Sequence, residues 1–169
     1  MIKVDIGKCT GCRMCETACS FYHTGAINRH MSRIKVVQHY GTGIDGPVLC
    51  RQCEERYCLD CPANALSIGP SGQIIASPTL CTLCKKCERS CPIGAIEVFN
   101  DIVYVCDLCG GSPRCVAACT QGALSYEPGE KENVTLNKIK PGTKKMNSSE
   151  KRSHYIAQLG RELRDRWRK

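Results

Sequence analysis

Four closely spaced cysteines near the middle of the chain are the residues best placed to do chemistry. Cys81, Cys84, Cys87 and Cys91 follow the pattern C-x2-C-x2-C-x3-C, and Pro92 comes next. Three thiolates at this spacing can bind three irons of one [4Fe-4S] cluster, while the fourth reaches a neighbouring cluster. The proline favours this arrangement because it turns the backbone after the fourth cysteine. One such run therefore predicts a second cluster.

Three further cysteine groups accompany this run, and the chain holds 16 cysteines among its 169 residues. The first group repeats the same spacing, with Ser20 in the position of the proline. The second has a longer middle spacer and a shorter last spacer and precedes Pro62, whereas the fourth has a middle spacer of five residues and precedes Thr120. These groups are Cys9, Cys12, Cys15 and Cys19; Cys50, Cys53, Cys58 and Cys61; and Cys106, Cys109, Cys115 and Cys119.

Zinc sites and disulfide bonds are the alternatives to iron–sulfur ligation. Four-cysteine zinc sites typically use two C-x2-C pairs that lie a dozen or more residues apart. Groups one and three instead place three cysteines in succession, and neighbouring C-x2-C cysteines close loops too short for a disulfide to stabilise much. The opening residues 1–5 show no apolar signal segment. The pattern therefore indicates iron–sulfur clusters, and we expect a reducing cytoplasm.

Outside the cysteine groups the sequence has no catalytic motif. It contains no phosphate-binding glycine loop and no signature of a nucleophile. No apolar run approaches the ~18 residues that span a bilayer, so no membrane span is predicted. The histidines stand at no ligand spacing and are predicted to be surface or packing residues: His23, His30, His39 and His154.

A repeated unit organises the first three quarters of the chain. Ala65, Ala95 and Ala123 each lie four residues after the last cysteine of a group. Each unit predicts a strand, a cysteine loop, a short helical turn and a strand, and two units make one two-cluster module. The predicted fold is α+β, with two bacterial-type two-cluster ferredoxin modules in residues 1–126 and an insertion at residues 20–49. Within it we predict strands at residues 2–6 and 33–37, a flexible turn region at 41–47, and a hairpin from 97–99 and 102–105.

The C-terminal part differs in composition. Residues 127–169 hold twelve basic and six acidic residues and carry most of the net charge of +8. Residues 127–146 are predicted to be an extended arm. From Asn147, a capping box with Glu150 and an apolar stripe predict an amphipathic helix. The stripe is Ile156, Leu159, Leu163 and Trp167.

Two roles are open to this stripe, which can pack on the chain's own core or serve a partner. Because the cysteine groups already supply two self-contained modules, we expect residues 127–169 to clamp a partner subunit. The basic charge does not indicate a nucleic-acid partner. Four oxidised clusters with their thiolates would carry about −2 each, which brings the loaded chain close to neutral.

The order of the four groups, with the second and fourth stretched, resembles the four-cluster iron–sulfur subunits of molybdenum and tungsten oxidoreductases. Residues 19–25, 32–36 and 47–53 are similar to the small electron-transfer subunit of aldehyde:ferredoxin oxidoreductase-type enzymes. That group includes the polyferredoxin subunit of aldehyde oxidoreductases and the iron–sulfur electron-transfer subunit of class II benzoyl-CoA reductase. The resemblance covers residues 1 to about 126.

The resemblance implies that group one pairs with group four and group two with group three. Four [4Fe-4S] clusters are then expected, although the shortened spacer before Cys61 leaves three as an alternative. The implied ligand sets are Cys9, Cys12, Cys15 and Cys119; Cys106, Cys109, Cys115 and Cys19; Cys50, Cys53, Cys58 and Cys91; and Cys81, Cys84, Cys87 and Cys61.

The expected function is that of a non-catalytic electron-transfer subunit. Its clusters would pass single electrons between a tungsten- or molybdenum-pterin catalytic subunit and a further electron-transfer protein or flavin subunit. The alternative is a stand-alone soluble polyferredoxin that diffuses as a carrier, which would not need the basic helical tail.

Overall fold

The computed structural model describes residues 1–129 and 134–169, in which short antiparallel sheets alternate with cysteine loops and helices. The predicted α+β class is confirmed. The strands are β1 (Ile2–Val4), β2 (Lys35–His39), β3 (Ile44–Val48), β4 (Leu66–Ile68), β5 (Ile74–Ala76), β6 (Glu97–Phe99), β7 (Ile102–Tyr104) and β8 (Leu124–Tyr126). The α-helices are α1 (Met14–Thr24), α2 (Lys86–Ser90), α3 (Arg114–Ala117), α4 (Lys140–Thr143) and α5 (Ser148–Trp167).

Strand pairing brings distant cysteine groups together. Strand β1, before group one, pairs antiparallel with β8, after group four, and Ile2 lies opposite Tyr126. Helices α1 and α3, which carry cysteines of the same two groups, pack against each other. Strand β4 follows group two and pairs with β5, which precedes group three. The first and last units are therefore neighbours in space, as are the two middle units.

A left-handed residue begins the helical turn in three of the cysteine groups. Arg13, Lys85 and Arg56 have φ angles of 64°, 58° and 46° and precede α1, α2 and the 3-10 helix Tyr57–Leu59. This conformation is unusual outside glycine and turns the chain sharply. The turn separates the first two cysteines of the group from the third, which lies in the helix. Each cysteine loop is thus folded over the start of its own helix.

The insertion forms a hairpin of β2 and β3 rather than a strand followed by a loop. The predicted strand at 33–37 is confirmed with a shifted start, since β2 begins at Lys35. The prediction of a flexible turn across 41–47 is wrong for its second half, because Pro47 lies within β3 and faces Val36. The strand predicted at residues 2–6 is confirmed for Ile2–Val4 only, because Ile6 begins the 3-10 helix Ile6–Lys8. The hairpin of β6 and β7 is confirmed.

The C-terminal helix has the predicted capping box. The Asn147 side chain accepts a hydrogen bond from the Glu150 N–H, and the Glu150 carboxylate accepts one from the Asn147 N–H. The first three residues of the apolar stripe, however, pack on the chain's own core, and only Trp167 is exposed. Ile156 is fully buried and Leu163 is 8% exposed, and α5 packs on β2 and β3. The premise that the cysteine groups form self-contained modules without this helix is therefore wrong.

The physical reason is that the hairpin and the loop after Cys91 leave apolar side chains that need a cover. Val48 and Ile93 form one buried cluster with Ile156 of α5. Leu136 and Ile139 join the same cluster, so this part of the predicted extended arm is packed and α4 follows it. The arm's residues 130–133 lie outside the described residues.

Buried polar contacts also fix α5 to group three. The Lys151 ammonium, only 2% exposed, donates hydrogen bonds to the carbonyls of Glu88 (3.3 Å) and Arg89 (2.6 Å). Arg152 donates to the Gly94 carbonyl at 3.0 Å. Gly94 has a φ of 63°, and a Cβ there would collide with the Ser148 carbonyl. The helix therefore lies in backbone contact with the loop after Cys91.

None of the helices in residues 1–129 and 134–169 combines the length and the apolar composition that a membrane span requires.

We predict that Ile156→Ala lowers the free energy of unfolding by about 2–5 kcal/mol, because it leaves a cavity in a fully buried site. Trp167→Ala is the matched control on the same helix, since Trp167 is 62% exposed, and should change stability by no more than about 0.5 kcal/mol. Guanidinium unfolding of the anaerobically purified protein, followed by circular dichroism, measures both. Equal midpoints for the two variants would contradict the packing of α5.

Candidate metal centres

The structure gathers the sixteen thiols into four sets, in each of which three thiols come from one group and the fourth from another. Three of the sets line cavities with empty volumes of about 250, 360 and 360 Å³. We name the sets A to D. Set A is Cys9, Cys12, Cys15 and Cys119; set B is Cys106, Cys109, Cys115 and Cys19; set C is Cys50, Cys53, Cys58 and Cys91; and set D is Cys81, Cys84, Cys87 and Cys61.

Set A is recognised by its mutual electrostatics. Burial raises the pKa of the Cys9 thiol, and Cys12 and Cys119 raise it further. Cys9 in turn raises the pKa of Cys15.

Cys61, whose short spacer left the cluster count open, lines the set D cavity together with the three thiols of group three.

Nine of the sixteen thiols have a raised pKa, with burial as the main cause, whereas the Lys86 N–H lowers the pKa of the exposed Cys84. Burial and then Cys115 raise the pKa of Cys15 to about 12. Burial raises the pKa of Cys50 to about 11, and Cys91 and Cys53 add to the increase. A thiol must lose its proton to bind a metal. Four closely spaced thiols can do so together only around a cationic group, and the iron core of a [4Fe-4S] cluster is such a group. The donor sets therefore fit this cofactor.

Backbone N–H groups stabilise several of the thiolates that ligation requires. The Arg33 N–H donates to Cys19 Sγ and the Ala95 N–H to Cys91 Sγ, each at 3.3 Å. The Gly11 N–H lowers the pKa of Cys9 against the larger effect of burial. Gly11 has a φ of 69°, and a Cβ there would collide with the Asp45 carboxylate. Hydrogen bonds to ligand sulfurs are one means by which a protein sets the reduction potential of a cluster.

Set A lies next to set B, set B next to set C, and set C next to set D. Cys115 of set B raises the pKa of Cys15 in set A, and Cys50 of set C raises that of Cys106 in set B. Sets C and D meet in one apolar cluster, where Cys58 and Cys91 pack against the residues around Cys87. At the two ends, Cys12 of set A and Cys84 of set D are exposed, whereas the other cysteines are buried or half-buried.

A buried carboxylate that the sequence analysis missed positions helix α1. Glu16, next to Cys15, is 1% exposed. It accepts hydrogen bonds from the Arg29 guanidinium (2.7 Å) and the Val36 N–H (2.6 Å), and Arg13 lies 3.5 Å away. Burial raises its pKa, while the Val36 N–H and Arg13 lower it. Glu16 thus ties the helix that carries two cysteines to strand β2, although its sequence position reads as an ordinary surface charge.

His23 is a second residue that the sequence did not reveal. Its Nε2 lies 3.6 Å from Cys109 Sγ and 3.5 Å from Asp107 Oδ1, and Asp107 also pairs with Arg33. His23 lines the cavity of set B, so its prediction as an ordinary surface or packing residue understated its position. A signal was present, since His23 lies four residues after Cys19 on the same helix face.

Comparison with known proteins agrees with this chemistry. Residues 1–27 and 74–97 each match a family described as a 4Fe-4S binding domain. The polyferredoxin-like subunit of the aliphatic sulfonate oxidoreductase of Pyrococcus furiosus is 40% identical over 122 residues, which cover 70% of each chain. The electron transport protein HydN of Escherichia coli is 33% identical over 151 residues, which cover 73% of this chain and 85% of that one. In a solved structure, the active site complex BamBC of benzoyl coenzyme A reductase as isolated, one chain is 25% identical, with a TM-score of 0.45 and 82% of each chain covered.

The first prediction for the site concerns the fourth thiol of each set, which comes from a different cysteine group. Cys119→Ser should alter the same reduced-cluster signal that Cys9→Ser alters, because both thiols belong to set A. Cys115→Ser, in the same group as Cys119, should alter a different signal. Electron paramagnetic resonance of the three reduced variants distinguishes the cases. Identical changes in Cys119→Ser and Cys115→Ser would show that the pairing is sequential.

The second prediction for the site concerns the effect of His23 on the reduction potential of a cluster. His23→Leu should leave the iron content unchanged and lower the reduction potential of one cluster, because the ring nitrogen that can donate to a Cys109 thiolate is lost and such bonds favour the more negative reduced state. His154→Leu, on α5, is the control. Potentiometric titration followed by electron paramagnetic resonance measures the change, and equal potentials in both variants would exclude this role of His23.

Proposed function

Because the chain belongs to the family of polyferredoxin-like [4Fe-4S] electron-transfer proteins, we propose that it is the electron-transfer subunit of an oxidoreductase complex with one cluster in each of sets A to D. The observation that carries this proposal is that each set lies next to the following one, A to B, B to C and C to D. An array that is exposed at Cys12 and again at Cys84 suits a protein that accepts an electron at one end and releases it at the other.

The cluster chemistry consists of the gain and loss of single electrons. The protein's own residues hold the thiols in place and keep water away from them. Ile93 and Ile96, each nearly fully buried, line the set C cavity, and Ile34 and Leu108 do the same for set B. These apolar walls lower the local dielectric, so the N–H groups that face the sulfurs act more strongly.

The catalytic partner in this proposal is a tungsten- or molybdenum-pterin subunit, with a further electron-transfer protein or flavin subunit at the other end. Two things support it: the resemblance of residues 19–25, 32–36 and 47–53 to subunits of such enzymes, and a relative that is itself a subunit of an oxidoreductase. The same relatives support a role without catalysis of its own. The proposed location is a reducing cytoplasm, which suits sixteen free cysteines.

A diffusing carrier is the second candidate, and one observation favours it. The argument against it was that a free carrier would not need the helical tail. Helix α5 in fact buries Ile156 and Leu163 in the chain's own core, so the tail is needed by the fold whether or not a partner binds. The presence of residues 134–169 therefore does not distinguish a subunit of a complex from a diffusing carrier.

Metal analysis tests the number of clusters. We expect about sixteen iron atoms and about sixteen acid-labile sulfides per chain isolated under strictly anaerobic conditions. About twelve of each would support the alternative of three clusters. Values well below twelve after cluster reconstitution would overturn the proposed array.

Isolation of the tagged chain from its natural host distinguishes the subunit from the carrier. A stable complex that contains tungsten or molybdenum in stoichiometric amount is the expected result. A chain that elutes alone, loaded with iron and without a pterin, would identify the diffusing carrier instead.

A further inference from the structure

A wide polar cleft lies beside set A, and none of the residues that line it is a cysteine. It has an empty volume of about 1660 Å³ and lies between α1, the β2–β3 hairpin and the start of α5. Its charged walls consist of four cations and two carboxylates: Arg13, Arg29, Lys35, Arg152, Glu16 and Glu97. The cleft therefore has a net positive charge within a fold whose loaded metal sites are negative.

The cleft borders the exposed end of the cluster array. Arg13 lines it and directly follows Cys12, the exposed thiol of set A. Gln38 also lines the cleft, and its amide nitrogen lies 3.3 Å from the place that a Cβ on Gly11 would occupy. Gly11 stands between the first two cysteines of set A. A molecule seated in the cleft is thus next to the loop through which set A meets solvent.

A small anion does not suit this cleft. The cations that line the cleft already have partners inside the chain. The Lys35 ammonium donates to the carbonyls of Arg29 and His30 at 2.7 and 2.9 Å. Arg152 donates to the Gly94 carbonyl and pairs with Glu97. What the cleft offers is a positive field over a broad surface.

Exposed apolar side chains complete the surface. Tyr40 is 90% exposed and Ile27 is 71% exposed, and both line the cleft. Aromatic residues and arginines are enriched at protein interfaces. The Arg29 side chain, which is 57% exposed while it pairs with Glu16, is available at the same surface. Charge, shape and exposed side chains together fit an acidic protein surface.

We infer that this cleft is the docking site for an acidic one-electron carrier protein that exchanges electrons with set A. The inference rests on the proposed electron-transfer function and deepens it, because it states which end of the array meets the soluble carrier. The other end, at set D, is then left for the catalytic subunit. The Ile68, Ile75 and Leu80 side chains, exposed by 51%, 44% and 54%, suit a more permanent contact there.

The experiment uses the cluster-loaded full-length chain and an acidic two-[4Fe-4S] ferredoxin as the probe. Tyr40→Ala removes an exposed aromatic group, and Arg29→Gln removes a charge while keeping a hydrogen-bond donor for Glu16. We expect the double variant to raise the dissociation constant for the ferredoxin about tenfold at low salt. We also expect it to reduce the salt dependence of the electron-transfer rate constant. Calorimetry and stopped-flow absorbance measure the two quantities. The control is Lys85→Gln/Arg89→Gln, which removes two charges near Cys84 and should leave both quantities as in the parent chain.

The outcomes are distinct. Loss of binding in the control pair with an unchanged cleft variant would place the carrier at set D and overturn the inference. The inference would also be overturned if the parent chain did not bind the ferredoxin at low salt. Displacement of the ferredoxin by a single-stranded oligonucleotide at equal charge concentration would overturn it as well. Iron and sulfide are determined on the same samples. Full cluster content with an unaffected cleft variant refutes only the docking site, whereas low cluster content refutes the proposed function itself.

Discussion

Repulsion among buried thiolates is the constraint on which this structure depends. Each set places four thiols close together, and burial raises the pKa of Cys15 and Cys115 to about 12. Such groups stay protonated near neutral pH unless a positive charge binds them. The free energy of binding iron and sulfide is therefore part of the free energy of folding, as in other small metal-binding domains. The short strands, of three to five residues, are consistent with a fold that draws its stability from its metal sites rather than from extended sheets.

The exchange of fourth cysteines makes the sets interdependent. Cys19 leaves group one for set B, and Cys119 leaves group four for set A. A helix that carries two cysteines four residues apart, such as α1, therefore supplies ligands to two sets at once. The β1–β8 pair closes the same two units at their strands. Groups one and four are thus joined twice, although more than 80 residues of sequence separate them.

The sequence predicts most of what is local and least of what joins distant parts. The hairpin of β6 and β7 and the capping box at Asn147 are each encoded within a few residues, and both predictions are confirmed. The pairing of the sets needed the resemblance to a family, since spacing shows that a fourth cysteine leaves its group but not where it goes. The roles of Glu16 and His23 depend on contacts with Arg29, Val36 and Cys109, which no local pattern encodes.

Helix α5 shows why an amphipathic pattern alone does not identify its partner. The stripe that begins with Ile156 shows that one face of the helix must be buried. The same pattern is expected whether that face packs against another subunit or against the chain itself. The cation Lys151 was the informative residue, because its ammonium lies 2% exposed against the carbonyls that end α2. Farther along, Leu163 packs near Gly7 in the segment that leads into Cys9. One helix thus contacts the loop of group three at its start and the approach to group one near its end. It braces the two halves of the fold, and an array whose sets pass electrons in series requires that their separation stay fixed.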